Sequence, residues 1–260
     1  MSDAASPAEA SARHLLPRDG LRGLAVLIVV FHNAAWVGGE SQQFLLKLTV
    51  AITASGWIGV EIFFALSGFL ITGILLDAKG KDRFFSSFYA RRTLRIFPLY
   101  FTFIGVAFIV GPLVSTSTAW VAAVRAHQWQ YWIYVSNWLE PYRLSIHGFS
   151  HLWSLAVEEQ FYLLWPLVVR FSTRRTLLRL CVAILVVTPF IRYALPLLGF
   201  PDDAAYHFTI SRWDALAAGA LIAVLWREEY GRRLLAVWAG PVAFVATVAL
   251  LGLVLVQRGF

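Results

Sequence analysis

The chain carries a single cysteine in 260 residues, Cys181, and it lies in an apolar run. A disulfide framework and a cysteine-based metal site are therefore excluded. Charge is also scarce, at 14% of residues, and the 15 Asp and Glu are outnumbered by 22 Lys and Arg. No Gly-rich phosphate loop is present, nor HExxH or another metal-ligand spacing, so no metal is expected. No unit of about 20–50 residues recurs and no inverted halves are visible, which weakens a transporter reading. The N-terminal stretch MSDAASPAEASARHLLPRDG has no apolar core before a small-residue cleavage site, which argues against a cleaved signal peptide. Residues 1–17 read as a disordered lead-in.

What the chain does have is apolar length. Hydrophobic residues make up 59% of it, and the mean hydropathy is +0.67, outside the range of soluble domains. It reads as an all-α, polytopic transmembrane helical bundle. Eleven Trp and nine Tyr suit many water–lipid boundaries. A net charge of +7 could suggest nucleic acid, but the basic residues cluster in short loops beside apolar spans, so topology explains them and no nucleic acid is expected.

Candidate spans are residues 20–37, 57–76, 95–114, 152–170, 180–199, 209–226 and 235–256. Each is long enough for a hydrocarbon core of about 30 Å, and lipid admits only helices there. The stretch 120–139 could make an eighth, but its Arg125, His127, Gln128 and Gln130 favour an interfacial or re-entrant segment. Positive charge orders the loops. Lys79, Lys81, Arg83, Arg91, Arg92 and Arg95 mark a cytoplasmic link, as do Arg170, Arg174, Arg175 and Arg179, and then Arg227, Arg232 and Arg233. Asp202 and Asp203 fall outside. The alternation works only if 120–139 does not cross, and it places the N-terminus in the cytoplasm.

Several polar residues sit where lipid would refuse them. In HLWSLAVEEQFYLLWPL, at 151–167, Ser154, Glu158, Tyr162 and Trp165 fall within about 60° of His151 around a helix, with Glu159 roughly 80° off that stripe. An ionisable group at bilayer depth costs about 2.5–3.5 kcal/mol or more, so the stripe should face a protein interior or a wet cavity, unless the segment's start merely reaches the headgroups. In the first span, Arg18, Asp19 and Arg22 precede His32, which lies about 15 Å deeper than Arg22. His32 could be a mid-membrane base or a histidine satisfied by a neighbouring helix. In the second, Glu61, Gly68 and Thr72 share a face to within about 20°, forming a small polar groove with Ser67 beside it. Arg91, Arg92 and Arg95 form an RRxxR cluster whose forks match phosphate oxygens, although juxtamembrane arginines are often topology signals alone. Arg212 and Asp214, two residues apart, cannot face each other on one helix and should each pair elsewhere.

Together these pieces resemble the membrane acyltransferase 3 family, which includes O-antigen and exopolysaccharide O-acetyltransferases. The matching segments, in family order, are DGLRGLAVLIVVFH at 19–32, GVEIFFALSGFLIT at 59–72, RRTLRIFPLY at 91–100, HLWSLAVEEQFYLLWPL at 151–167 and RWDALAAGALIA at 212–223. The resemblance implies an acyltransferase domain over 18–260 in the cell membrane, in contact with lipid. It would move an acyl group, usually acetyl, from cytosolic acetyl-CoA to a hydroxyl of a carbohydrate or other envelope acceptor. It implies that His32 acts as general base or acyl relay, that Arg22, Arg91, Arg92 and Arg95 bind the donor, and that Glu158, Ser154 and His151 orient groups around the transfer point. Two features depart from the family. Nine residues separate Arg22 from His32 where ten are common, which makes Arg18 a substitute candidate. The family domain is also usually longer, with more spans than the seven or eight read here, so a C-terminally shortened member is expected. The competing class is an exporter of an envelope precursor, which would need no donor site; a noncatalytic scaffold would leave His32 and the stripe unexplained.

Thiol labelling checks the topology. A membrane-impermeant reagent is expected to reach Asp202→Cys from outside and Ser172→Cys only after the membrane is opened; external labelling of Ser172→Cys would overturn the arrangement.

Overall fold

In the computed structural model, residues 56–257 are described, with side-chain environments for 58–248. Among them every regular element is helical. Helix α1 (Gly56–Ala78) runs into a short turn, and α2 (Phe84–Gly105) follows, continued by a π-helical stretch, Val106–Val110, and a last turn, α3 (Gly111–Val114). Then come α4 (Thr118–Trp132), two 3-10 turns (Ser136–Trp138 and Glu140–Tyr142), α5 (Leu152–Phe171), α6 (Arg174–Leu197) and the short α7 (Ala204–His207). A 3-10 turn, Thr209–Ser211, leads to α8 (Trp213–Leu225) and α9 (Glu229–Gln257). Serine and threonine start two of these helices: Ser117 accepts from Trp120 N, and Thr173 from Thr176 N, each satisfying an amide that the helix itself cannot.

Three of the described helical stretches are long and apolar enough to cross a bilayer: Ile58–Ala78, Phe84–Val114 and Arg174–Leu197. The expected seven or eight spans are not reached among the described residues. The span expected over 209–226 is the clearest correction: α8 has 13 residues, about 20 Å of helix, because its N-terminal part folds instead as the Thr209–Ser211 turn. The third span also starts earlier than expected. Helix begins at Phe84, so the RRxxR cluster lies well inside α2 rather than in the link before it.

Two apolar clusters form the core. One joins α1, α5 and α8 through Phe64, Leu75, Phe161, Trp165 and Leu216, with Phe88 of α2 and Leu177 of α6. The other joins α2, α4 and the segment before α5 through Tyr100, Ile104, Tyr131 and Ile146. Helices α1 and α8 cross at two glycines. A Cβ added at Gly68 would lie 1.9 Å from Leu216 O, and one at Gly219 would lie 1.8 Å from Ala65 O, so backbones touch where lipid offers no hydrophobic drive and close packing must supply the attraction.

The ends sort by charge. Lys79 Nζ donates to Val169 O at 2.7 Å and to Ser172 O, and Arg227 binds Asp77 at 2.7 Å, so the end of α1, the start of α2 and the ends of α5 and α8 share one basic face. At the opposite end Glu61 meets Arg212 at 2.7 Å and Asp214 meets Arg192 at 2.8 Å. Helix α4 starts beside Gly111, where Trp120 packs, and ends where Trp132 stacks on Phe101 and Tyr134 approaches Phe97. The chain then climbs back to α5.

The glycine crossing is testable by thermal denaturation in detergent. Gly219→Ala forces backbones apart and is expected to cost about 1–3 kcal/mol or more. Gly240→Ala in α9, with open space around it, should be neutral or slightly stabilising.

Candidate functional site

On α2 the three arginines of RRxxR divide by helical geometry. Arg91 and Arg95 are one turn apart on an exposed face, and Arg92 turns about 100° from Arg91 toward α5. There its Nη2 donates to Glu159 Oε1 at 2.7 Å and its Nε to Oε2 at 3.5 Å, a forked pair with side chains only 13% and 10% exposed. The guanidinium carbon lies 3.1 Å above the Tyr162 ring, a desolvated cation–π contact of about 2 kcal/mol. The Tyr162 hydroxyl donates to Glu158 Oε1, one turn back. Adjacent glutamates thus have different partners: Glu159 clamps α2, while Glu158 binds the Tyr162 hydroxyl within α5. On the α1 side Ser67 neighbours the Tyr162 hydroxyl, and Trp165 Nε1 donates to Thr72 Oγ1 at 2.8 Å.

One residue further, Gln160 ties α5 to two loops. Its Nε2 donates to Tyr134 O at 2.7 Å and Asn137 Oδ1 at 2.9 Å, and its Oε1 accepts from the Thr209 hydroxyl. Asn137 Nδ2 in turn donates to Thr209 Oγ1 and to His207 O, both at 3.0 Å. This knot fixes Tyr134 in the left-handed region, φ 56°, which non-glycine residues seldom occupy.

Between the clamp and the knot is a cleft of about 160 Å3. Arg92, Glu159, Tyr162, Gln160 and Tyr134 form its polar floor, and Tyr89, Phe97, Ile133 and Leu163, with the exposed Thr93, its rim. Tyr134 is 8% exposed, and its hydroxyl has no hydrogen-bond partner among the described residues. A larger open groove of about 710 Å3 beside Pro112 and Thr118 has Arg125 as its sole charged lining residue.

The expected polar stripe is only partly realised. Glu158, Tyr162 and Trp165 are buried, but His151 is an exposed residue at the start of α5, and Ser154, partly buried, donates to His151 O at 3.2 Å. The structure does not bring His151 and Ser154 to the cleft, because at their level α5 has reached the bundle's end. Glu61 and Arg212 pair with each other, and Arg212 packs 4.6 Å from the Tyr206 ring. Asp214 pairs with Arg192, so Arg212 and Asp214 do bind elsewhere, as their spacing requires. Asp19, Arg22 and His32, with the alternative Arg18, lie outside the described residues. Glu159, Gln160 and Tyr134 are not among the site residues expected from sequence, Glu159 lying off the expected stripe. The first two were visible as polar residues in an apolar helix; Tyr134 carried no signal. Among the described residues no three His, Cys, Asp or Glu side chains gather as a metal site would require.

A profile described as an acyltransferase domain, Acyl_transf_3, matches residues 19–258. The chain is 30% identical over 229 residues to the O-acetyltransferase OatA of Staphylococcus aureus (strain NCTC 8325 / PS 47), covering 83% of this chain and 35% of that protein. It is 32% identical over 236 residues to the putative peptidoglycan O-acetyltransferase YrhL of Bacillus subtilis (strain 168), covering 82% and 34%. It is 30% identical over 229 residues to the peptidoglycan O-acetyltransferase OatA of Listeria monocytogenes, covering 80% and 33%. The chain therefore spans about a third of the length of these relatives. No solved structure matches it.

The clamp predicts strong coupling. Arg92→Ala leaves a nearly closed carboxylate unpaired, whereas Arg92→Ala with Glu159→Gln does not, so a double-mutant cycle on thermal stability in detergent should return a coupling of about 1–3 kcal/mol. Additive single effects would show that the pair is not a clamp.

Proposed function

The chain belongs to the acyltransferase 3 family, and on that premise we propose that it is a multi-pass O-acyltransferase of the cell membrane, with its N-terminus in the cytoplasm. It moves an acyl group, most simply acetyl, from cytosolic acyl-CoA to a hydroxyl of a carbohydrate in the cell envelope. The relatives named for peptidoglycan O-acetylation support that class of acceptor.

The observation that carries the reading is the polar floor enclosed between α2 and α5. Glu158 is 2% exposed, and the clamped Arg92–Glu159 pair sits in a helix pair whose outer surfaces are apolar. Charges at that depth are expensive and mark function. Beside them Arg91 and Arg95 are exposed and make no ion pair among the described residues, which leaves two forks for the phosphates of a nucleotide-type donor. Arg22 and His32 complete the assignment from the family motif.

In the proposed reaction the acceptor hydroxyl oxygen attacks the acyl carbonyl carbon while His32 takes its proton. The C–S bond then breaks, and the coenzyme thiolate leaves and is protonated from the imidazolium. Glu158, fixed by the Tyr162 hydroxyl, supplies a buried carboxylate to orient the groups around that transfer.

Acyl transfer measured in membranes tests this. His32→Ala is expected to lose about 10²–10⁴-fold in rate, and Arg91→Ala with Arg95→Ala to raise the donor KM. Undiminished transfer in His32→Ala would remove the base, and unchanged donor affinity in the double variant would remove the phosphate site.

A further inference from the structure

The cleft between α2 and α5 has a property that RRxxR, taken as a phosphate-binding motif, does not anticipate: its charge is already balanced. Arg92 is committed to Glu159 by two donors and to the Tyr162 ring by its face. Gln160 has both amide donors and its oxygen engaged. The Tyr162 hydroxyl donates to Glu158, and the Tyr89 hydroxyl donates to Leu163 O at 2.8 Å. A phosphate entering here would meet no spare cation and would lie against a carboxylate. Among the side-chain polar atoms lining the cleft, the Tyr134 hydroxyl is the one that is fully buried with no hydrogen-bond partner among the described residues, and it is a neutral donor.

We propose that this cleft holds the acyl-thioester end of the donor, with the Tyr134 hydroxyl donating to the acyl carbonyl oxygen, and that Arg92 is a positioning residue and not a phosphate ligand. The inference rests on the acyltransferase reading and assigns a place to one part of its substrate. Size supports it. Drug-sized ligands occupy about 300–1,000 Å3, so a cleft of about 160 Å3 cannot take a nucleotide. At about 30 Å3 for each water-sized group it takes a short acyl chain and its carbonyl. Polarity supports it too: the rim of Phe97, Ile133 and Leu163 suits a methyl or short alkyl tail, and the buried, unpartnered Tyr134 hydroxyl suits a neutral acceptor.

Tyr134 is held for this by its neighbours. Its backbone is in the left-handed region, pinned by Gln160 Nε2 on its carbonyl, and its ring is stacked on Tyr100 with centroids 4.3 Å apart. As the attacking oxygen adds and the C–S bond prepares to break, negative charge grows on the carbonyl oxygen. A fixed donor there strengthens its hydrogen bond during the reaction without reorganising.

The test uses the full chain in two arms. In turnover with acetyl, butyryl and hexanoyl thioesters of coenzyme A, Tyr134→Phe is expected to lower kcat about 10²-fold with little change in donor KM. Leu163→Ala, at a rim position 62% exposed, should shift preference toward the longer chains. Wild-type kcat in Tyr134→Phe together with unaltered chain-length preference would overturn the proposal. The second arm needs no turnover. Ile133→Cys is alkylated with a small maleimide, and S-acetyl-pantetheine, which carries no nucleotide, is expected to slow the reaction severalfold while inorganic phosphate does not. Slowing by phosphate, or by phospholipid vesicles relative to detergent without any thioester, would assign the cleft to an anion or a lipid ester and overturn it. Protection without transfer by the wild type would leave the cleft standing and bring down the enzyme reading; transfer without protection would do the reverse.

Discussion

A guanidinium and a carboxylate 2.7 Å apart, both nearly closed to their surroundings, join α2 to α5 at Arg92 and Glu159. Neither charge could be kept alone at this depth, because each would have to find water or neutralise. The pair therefore fixes the register of the two helices. Tyr89 then reaches Leu163 O, Lys79 reaches Val169 O, and the basic residues of several helix ends come out on one face. The same pair sets the electrical character of the cleft it floors. An arginine that reads in sequence as an anion ligand becomes, once clamped, half of a neutral unit with its flat face on Tyr162.

The crossing of α1 and α8 sets the other wall. Glycines at 68 and 219 let the backbones meet, and the contact draws the buried side of α5 against α1, where Trp165 binds Thr72. Several charged side chains pair across neighbouring helices: Glu61 with Arg212, Asp214 with Arg192, Asp77 with Arg227. Tyr134 combines two features: its hydroxyl is buried without a hydrogen-bond partner among the described residues, and its backbone lies in a region where a tyrosine seldom rests.

Helical class and the basic face were legible because each follows from one-dimensional patterns: apolar length, and positive charge at loop positions. The short α8 was not. Residues 209–226 have the hydropathy of a span, and nothing in composition says that Thr209–Ser211 will fold as a separate turn to serve Gln160 and Asn137. The stripe on α5 was half legible for a related reason. Angular position grouped His151 and Ser154 with Glu158 and Tyr162, but angle carries no depth, and the first two lie at the helix's exposed beginning. Glu159 falls off the stripe because a single helix wheel has one inside. A helix packed between α1 and α2 has two: Trp165 reaches Thr72 of α1, and Glu159 reaches Arg92 of α2.

Depth also bears on how a membrane acyltransferase could join reactants from opposite sides. Along α2, Arg92 lies about 12 Å from the first residue, Phe84, and along α5, Glu159 lies about 18 Å from the last, Phe171. Both distances run from the basic face, and the hydrocarbon core is about 30 Å thick. On the proposed reading, a donor whose phosphates stay with Arg91 and Arg95 has its acyl end near the middle of the bilayer once that end enters the cleft. The acceptor then needs to come only the remaining half of the way, from the face where Glu61 is 30% exposed beside Arg212. Two shallow approaches to one fixed, charge-balanced floor would replace the alternating movement of halves that a transporter requires, and no inverted repeat is needed to build them.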